Sequence, residues 1–382
     1  MKKKMLILND TVFSGGVEKL MYDLVMRWYK DYDITILTEY GSKSFYNEYP
    51  MEVKSLTYGT RISLKNVKGL RKYNDMFCEY MLDKKFKKIN KGNYDYVLAM
   101  KEGIITALGQ KLDAKVKLAW VHLDYKNAYW TRAAFVSAND EVSCMKTYKN
   151  IICVSRFIME TIKERIGDPG NLVVRYNPID EKLILKKSKE TVDDLWDKQS
   201  KIRFLSVGRL HYQKGYDLLV KACSLLNYEG YKERFEVVVI GEGEMEADLK
   251  KQCVAQDVDN ISFIGYRDNP YKYLKDADWF ISSSRYEGYS LVSQEAAILD
   301  VPVMATNVSG VPELLGDNFE YGIVIKDISA QEIAANMKKV IDDPSLQEKY
   351  KNLIMQRKAI INFDDRIKAI TRLFDESYNP EE

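Results

Sequence analysis

Long apolar runs are absent from this chain of 382 residues. No stretch approaches the ~20 consecutive apolar residues that a membrane-spanning helix needs. The apolar run that follows Lys2-Lys3-Lys4 ends at Asn9, which makes it too short for the core of a signal peptide. The sequence therefore predicts a cytoplasmic protein.

Cysteine is scarce, and histidine is scarcer still. The chain has five cysteines and two histidines, and no two cysteines form a C-x-x-C pair. Scattered cysteines in apolar surroundings are typical of reduced core residues in a cytosolic protein, not of a disulfide framework. The cysteines are Cys78, Cys144, Cys153, Cys223 and Cys253.

An excess of charge of either sign is also missing. The formal net charge is +2, so no overall electrostatic field favours nucleic acid as a partner. A hydrophobic content of 46% and a charged content of 30% are typical of a folded globular protein. A chain of 382 residues is longer than a single hydrophobic core usually supports, so we expect two domains.

Strand-like and helix-like runs alternate along the chain, which predicts an α/β protein with parallel sheets covered by helices. The alternation of strands and helices is interrupted at residues 177–180, and a charged stretch follows to Lys201. This interruption indicates the interdomain linker. We expect a first domain over residues 1–180, a second over 181–361 and a last segment, 362–382, that forms a helix from about Asn362 to Tyr378. The predicted strands are Lys4–Asn9, Asp33–Thr38, Tyr94–Met100, Lys115–His122, Asn150–Val154, Leu172–Tyr176, Arg203–Val207, Phe235–Ile240, Ile261–Ile264, Asp278–Ser282, Pro302–Ala305 and Gly322–Ile325.

The segment from Arg285 to Met304 carries the most informative pattern. Glu287 and Gly288 lie in a loop after a predicted strand, and Glu295 lies inside the amphipathic stretch that follows. A strand end, a small-residue loop and a helix N-terminus can bind an anion through backbone N–H groups. Because the added carboxylates can bind sugar hydroxyls, this combination predicts a nucleotide-sugar site.

Four motifs occur in order along the chain. Glu287 and Glu295 resemble the E-x7-E signature of retaining glycosyltransferases of family 4, which have the GT-B fold. The segment Gly208–Asp217 resembles that family's G-R-L-x-x-x-K-G loop, Ser14–Glu18 its G-G-x-E turn, and Trp120–Asp124 its strand-end histidine. The resemblance implies two doubly wound, Rossmann-like parallel-sheet domains that face a cleft, with a final helix that crosses back to the first domain.

The resemblance also implies roles for residues of the second domain. Arg209 and Lys214 would hold the donor diphosphate, Glu287 would accept hydrogen bonds from donor-sugar hydroxyls, and Glu295 would reach the ribose. Solvated loop cations are the usual fate of arginine and lysine, but the flanking glycines and the preceding strand favour function here. The remaining donor-binding positions are Gly241, Tyr266, Arg267, Gly288, Tyr289, Ser290, Leu291 and Val292.

In the first domain, Gly15 and Gly16 would let the backbone approach the donor closely. His122 resembles the family's histidine beside the reacting sugar. A lone histidine near a strand end is more often structural, but the Val-His-Leu-Asp context favours a hydrogen bond to the sugar or the acceptor. We therefore predict His122, Arg209, Lys214 and Glu287 as the catalytic residues.

No metal site is expected. The Asp-x-Asp sequences begin at Asp31, Asp257 and Asp276, and none follows the end of a predicted strand. They are typical of turns and helix ends. Arg209, Lys214 and a helix N-terminus would instead stabilise the charge that develops on the departing phosphate.

The resemblance implies an enzyme that transfers a hexosyl or N-acetylhexosaminyl group from a nucleotide diphosphate sugar, with a UDP-sugar favoured. The acceptor would be a saccharide, lipid-linked, in surface polysaccharide synthesis. Two alternatives remain: a nucleotide-sugar epimerase on a similar fold, and a non-catalytic scaffold partner. The family pattern E-G-F-G-L-P differs here at Tyr289, Ser290 and Val292, which leaves the donor open.

A basic stretch with interleaved aromatic residues runs from Arg61 to Lys91. Such a stretch can lie on anionic lipid, at the inner face of the membrane, or it can be a solvated helix face. Asp75, Glu79 and Asp83 dilute its charge, so both interpretations stay open.

Overall fold

The computed structural model describes residues 2–10, 15–39, 49–58, 82–192 and 201–377. The chain divides into two compact units. The first comprises Met1–Asn177 together with Asp365–Glu382, and the second comprises Pro178–Asp364. The division at Asn177 falls at the start of the predicted linker, in which Glu181–Lys187 forms a helix.

The first unit is built on a parallel sheet of seven strands in the order β3-β2-β1-β4-β5-β6-β7. The strands are β1 (Lys3–Asn9), β2 (Tyr32–Thr38), β3 (Lys54–Thr57), β4 (Tyr94–Ala99), β5 (Ala114–Val121), β6 (Asn150–Cys153) and β7 (Leu172–Val174). The helices are Gly16–Trp28, 82–90, Ile104–Gln110, Ala138–Met145 and Arg156–Ile166, with a 3-10 turn at Thr131–Ala133.

Burial explains why this sheet forms. Met5 to Leu8 of β1 are almost fully buried, as is typical of a central parallel strand that is covered by helices on both faces. Strand β3 differs, because all of its residues are exposed at the edge of the sheet.

The C-terminal segment packs within the first unit. The helix Phe363–Thr371 is followed by a 3-10 turn, Arg372–Phe374. The α-helix therefore ends earlier than the Asn362–Tyr378 range that the sequence predicts. The ring of Phe374 lies 5.1 Å from that of Trp28 and 5.0 Å from that of Tyr96, between centroids.

The second unit contains a parallel sheet of six strands in the order β10-β9-β8-β11-β12-β13. The strands are β8 (Ile202–Val207), β9 (Phe235–Ile240), β10 (Ile261–Phe263), β11 (Trp279–Ser282), β12 (Val303–Thr306) and β13 (Ile323–Ile325). The helices are Glu181–Lys187, Tyr216–Tyr228, Glu246–Ala255, Tyr271–Asp276, Leu291–Ile298, Val311–Leu315, Ala330–Asp342 and Ser345–Ile354, with 3-10 turns at Tyr212–Lys214, Lys232–Arg234 and Met355–Ile361.

Both sheets are doubly wound. The strand order reverses between β1 and β4 in the first unit and between β8 and β11 in the second. Ligands of such sheets bind outside the carboxyl ends of the strands, at the point of reversal. The predicted α/β class, with two doubly wound parallel-sheet domains, is confirmed.

Four cysteines lie in the described ranges, and all four are buried free thiols. Cys78 lies outside them. Burial raises the pKa of Cys144 to about 12, so this thiol stays protonated at neutral pH. Within the same ranges, no helix combines the length and the apolar character that a membrane span requires.

Candidate functional site

The loops that follow β8 and β11 are joined tightly, because these two strands are neighbours at the reversal point. Gly215 has a φ of +66°, and a Cβ at this position would lie 2.0 Å from the carbonyl oxygen of Ser283. The Ser283 hydroxyl donates a hydrogen bond of 2.8 Å to the carbonyl oxygen of Lys214. Only glycine fits this left-handed backbone and this close approach.

Lys214 and Glu287 form an ion pair across the two loops. Lys214 Nζ lies 2.6 Å from Glu287 Oε1, and the Ser284 hydroxyl donates to the same oxygen at 2.7 Å. The two side chains are 21% and 10% exposed. Burial alone would lower the pKa of Lys214, but the neighbouring Glu287 and Tyr216 outweigh it and raise the pKa above its usual value. The ammonium group is therefore charged at neutral pH.

Arg209 and His211 belong to the same loop but have other partners. Arg209 is 73% exposed, and its Nη2 lies 3.3 Å from Glu244 Oε2. The Nδ1 atom of His211 accepts the backbone N–H of Gln213 at 3.1 Å and caps the turn Tyr212–Lys214. The structure therefore brings Lys214 to Glu287, while Arg209 extends toward solvent.

The helix Leu291–Ile298 begins at Ser290, whose side chain accepts the N–H of Ser293. The first N–H groups of a helix have no partner within it, so those of Leu291 and Val292 are available to an anion. Before this helix, Tyr289 is buried against Gly310, where a Cβ would lie 2.2 Å from the tyrosine ring. Beside it, the Ser309 hydroxyl donates to the carbonyl oxygen of Glu287.

Glu295 is buried inside this helix and is not a solvated surface residue. Its Oε1 accepts a hydrogen bond of 3.3 Å from the Tyr271 hydroxyl. A buried carboxylate requires hydrogen-bond donors, and the Tyr271 hydroxyl is one of them.

The loops after β9 and β10 adjoin the loop after β8. The N–H of Gly241 donates to the carbonyl oxygen of Gly265 at 3.0 Å, and a Cβ at Gly241 would lie 2.0 Å from the carbonyl oxygen of Gly208. Tyr266 is 55% exposed beside them, and Arg267 donates to the Tyr266 carbonyl oxygen. The structure thus places Gly241, Tyr266 and Arg267 in adjoining loops at the carboxyl ends of the strands.

In the first unit, Gly15 precedes the helix Gly16–Trp28 with an extended backbone. A Cβ at Gly15 would lie 2.2 Å from Glu18 Oε2, so glycine leaves room for this carboxylate to fold back. Glu18 Oε1 accepts from Asn9 Nδ2 at 3.2 Å and lies 2.7 Å from Lys101 Nζ.

Lys101 and Glu102, in the loop after β4, were not predicted as site residues. Lys101 Nζ also lies 2.7 Å from Asp10 Oδ1, and Glu102 accepts the backbone N–H of His122 at 2.8 Å. Burial would lower the pKa of Lys101, but Glu18 and Asp10 raise it above its usual value. Two consecutive residues therefore connect the Gly15–Glu18 turn to His122. Their position at a strand end next to the reversal point is the feature of the sequence that could have indicated them as site residues.

His122 is held in one tautomer. Its Nε2 lies 3.0 Å from the carbonyl oxygen of Met100, which can only accept, so Nε2 carries the proton and Nδ1 keeps its lone pair. Burial lowers the pKa of His122 to about 4, the Met100 hydrogen bond opposes this shift, and the charge of Lys101 adds to it. The imidazole is therefore neutral at pH 7.

This shift predicts a pH-dependent loss of stability that the variant His122→Gln will lack. The unfolded chain takes up a proton near pH 6.5, whereas the folded protein does so only near pH 4. The stability is therefore complete above pH 6.5 and is lost as the pH falls toward 4. The difference amounts to about 3 kcal/mol. Urea unfolding at pH 7, 5.5 and 4 will measure it, and equal pH dependence of wild type and variant would contradict the assignment.

The Asp-x-Asp sequences occupy structural positions. Asp33 lies within β2, Asp257 has a φ of +51°, and Asp276 is the last residue of the helix Tyr271–Asp276. Among the residues that the structure describes, no group of three or more histidines, cysteines and carboxylates is arranged to hold a metal ion.

The two doubly wound sheets are those of GT-B glycosyltransferases. The chain superposes on the Anabaena protein Alr3699/HepE, in complex with UDP and glucose, with a TM-score of 0.75 at 16% sequence identity, over 97% of this chain and 98% of that one. Residues 188–357 match the family of glycosyl transferases group 1, so the resemblance predicted from the motifs is confirmed.

Two bacterial relatives align with part of the chain. One, from Campylobacter jejuni, is N-acetylgalactosamine-N,N'-diacetylbacillosaminyl-diphospho-undecaprenol 4-alpha-N-acetylgalactosaminyltransferase, which is 31% identical over 186 residues and 48% of each chain. The amylovoran biosynthesis glycosyltransferase AmsK of Erwinia amylovora is 32% identical over 143 residues, 35% of this chain and 34% of its own. The chain thus spans less than half the length of these relatives.

Proposed function

We propose that this protein is a retaining glycosyltransferase that transfers a hexosyl or N-acetylhexosaminyl group from a UDP-sugar to a saccharide acceptor in surface polysaccharide synthesis. The observation that carries the proposal is the Lys214–Glu287 pair at the reversal point of the second sheet. A cation and a carboxylate side by side suit a ligand that joins a diphosphate to a sugar. The group 1 match and the two relatives support the same class.

Each residue has a defined role in the proposed reaction. Lys214, Arg209 and the N–H groups of Leu291 and Val292 stabilise the negative charge that develops on the departing diphosphate. Glu287 orients the sugar through its hydroxyls, and Glu295 binds the ribose. Gly241, Tyr266 and Arg267 lie next to the base of the bound nucleotide.

The acceptor attacks from the same face of the sugar from which the diphosphate leaves. The bond from the anomeric carbon to the phosphate oxygen breaks, the bond to the acceptor oxygen forms, and the acceptor proton passes to the departing phosphate. No nucleophilic carboxylate is assigned, in contrast to retaining glycosidases. Neutral His122 accepts a hydrogen bond from a hydroxyl of the sugar or the acceptor through Nδ1, because its Nε2 proton is already donated to the Met100 carbonyl oxygen.

A panel of nucleotide sugars tests the donor class. A ligand at 100 times its dissociation constant adds about 2.7 kcal/mol to stability, so the cognate donor will raise the unfolding temperature. The stabilising donor is then assayed for transfer, with release of free nucleotide as readout. Epimerised sugar without nucleotide release would favour the epimerase alternative, and binding without turnover would favour a scaffold.

Transfer is predicted to continue without a divalent metal, because Lys214, Arg209 and a helix N-terminus provide the positive charge that a metal would supply. The measurement is the rate of transfer in excess chelator, compared with the rate after addition of magnesium or manganese. Loss of transfer that is restored by either metal would contradict the prediction.

A lipid-linked acceptor would place the protein at the inner face of the membrane, in contact with anionic lipid. The Campylobacter relative is named for an undecaprenol-linked acceptor. In this chain, residues 82–90 form a helix on which Lys84, Lys87 and Lys88 are exposed and Phe86 is buried. The rest of the basic stretch, from Arg61 to Met81, lies outside the described residues.

We therefore predict salt-sensitive binding to anionic vesicles, weakened when Lys84, Lys85, Lys87 and Lys88 are replaced by glutamine. Each basic residue near an anionic surface contributes about 1 kcal/mol. Co-sedimentation at low and high salt measures this binding, and the exposed lysines Lys250 and Lys251 of the second unit, replaced by glutamine, provide the control. Absence of co-sedimentation at low salt would indicate a solvated helix face.

A further inference from the structure

Arg285 and Asp217 form a bidentate ion pair next to the Lys214–Glu287 pair. The two terminal guanidinium nitrogens of Arg285 each lie 2.7 Å from an oxygen of Asp217. Arg285 lies in the loop after β11, and Asp217 lies in the first turn of the helix Tyr216–Tyr228. The side chains are 16% and 21% exposed, so the contact is largely protected from solvent.

Arg285 has further contacts with the loop after β8. Its Nη1 donates to the carbonyl oxygen of Tyr212 at 2.8 Å, and its guanidinium carbon lies 4.0 Å from the centre of the Tyr212 ring. Its backbone N–H donates to the carbonyl oxygen of Gln213 at 2.7 Å. Arg285 thus contacts the chain on both sides of Lys214.

The sequence positions show what these contacts control. Glu287 is two residues after Arg285, and Lys214 is three residues before Asp217. The planar guanidinium of Arg285 binds both oxygens of Asp217 at once, so the pair fixes the relative position of the two loops. We propose that Arg285 and Asp217 are positioning residues that hold Lys214 and Glu287 at the separation needed for the diphosphate and the sugar. The proposal rests on the proposed glycosyltransferase function of this site.

A matched control exists on the same two strands. At their amino ends, Arg203 Nε lies 3.0 Å from Asp278 Oδ2, and Arg203 Nη2 lies 3.1 Å from Asp278 Oδ1. This pair joins the start of β8 to the start of β11. It therefore lies at the amino ends of the strands, away from Lys214 and Glu287 at the carboxyl ends. Arg203→Lys and Arg285→Lys both keep the positive charge and remove the guanidinium fork.

The experiment compares Arg285→Lys, Asp217→Asn and Arg203→Lys with the wild type, at a temperature where all four are folded by circular dichroism. We expect kcat/KM for the donor to fall about tenfold or more in Arg285→Lys and Asp217→Asn, because small displacements of binding groups carry costs of this size. Affinity for UDP should fall in both, while affinity for UMP, which lacks the second phosphate, should not. Arg203→Lys should match the wild type in all three measurements.

A second measurement does not depend on turnover. The rate at which acetic anhydride acetylates Lys214, followed by mass spectrometry of the peptide, should rise in Arg285→Lys and stay unchanged in Arg203→Lys. Equal effects of Arg285→Lys and Arg203→Lys on kcat/KM and on acetylation would overturn the positioning role. If the wild type transfers no sugar and binds no UDP, the proposed function fails, and the acetylation rates alone decide whether Arg285 positions Lys214.

Discussion

Replacement of Lys214 by alanine is expected to lower the rate of sugar transfer about tenfold or more while the protein stays folded. The ammonium group is a largely protected cation paired with Glu287, and a charge-assisted hydrogen bond contributes roughly 1.5–3 kcal/mol. Glu287→Gln should give a similar loss, because the amide keeps the size of the side chain but removes its charge. Initial rates at saturating and limiting donor will show whether kcat, KM or both change.

A second lysine–glutamate pair of the same unit serves as the control. Lys338 Nζ also lies 2.6 Å from a carboxylate oxygen, that of Glu229, but both side chains are more than 40% exposed. Lys338→Ala should leave transfer unchanged, since exposed pairs contribute little. If folded Lys214→Ala or folded Glu287→Gln keeps full activity, the assignment of the donor site to these residues is wrong.

Replacement of Gly215 by alanine is expected to cost about 2–5 kcal/mol of unfolding free energy. A non-glycine residue in the left-handed region costs roughly 1–2 kcal/mol, and overpacking adds roughly 1–3 kcal/mol. Here the added Cβ would lie 2.0 Å from the Ser283 carbonyl oxygen, so the two loops must separate. Because Lys214 precedes this glycine, transfer should fall with stability.

Replacement of Gly230 by alanine measures the backbone contribution to this loss of unfolding free energy by itself. Gly230 lies in the same unit with a φ of +87°, and a Cβ there would have no atom within 4 Å. Gly230→Ala should therefore cost only about 1–2 kcal/mol and leave transfer intact. Urea unfolding of both variants gives the comparison, and equal losses would show that the approach to Ser283 does not matter.

The sheets could be predicted because their strands carry continuous apolar runs. Each strand predicted from the sequence is present, with ends that differ by a residue or two. The exposed strand β3, Lys54–Thr57, was missed because it has no buried face and hence no apolar pattern. The last helix was predicted too long, because the apolar spacing continues into the turn Arg372–Phe374.

The site was partly predictable for the same reason. Motifs that follow neighbouring parallel strands meet at one edge, so Lys214 and Glu287 could be expected near each other. Their direct ion pair could not, since it depends on side-chain geometry across 73 residues of sequence. The Arg285–Asp217 pair has no local signature at all, because an arginine and an aspartate 68 residues apart look like ordinary charged residues.

The packing of Phe374 against Trp28 and Tyr96 bears on how the protein is made. The first unit needs residues 365–382, yet the 187 residues from 178 to 364 are translated between its two parts. At about 5–20 residues per second, the ribosome takes roughly 10–40 s to cover that distance. During this interval the second unit is being synthesised, while the aromatic surface around Trp28 is not yet covered by Phe374. The nascent first unit therefore exposes this aromatic surface to chaperones until Phe374 has been synthesised.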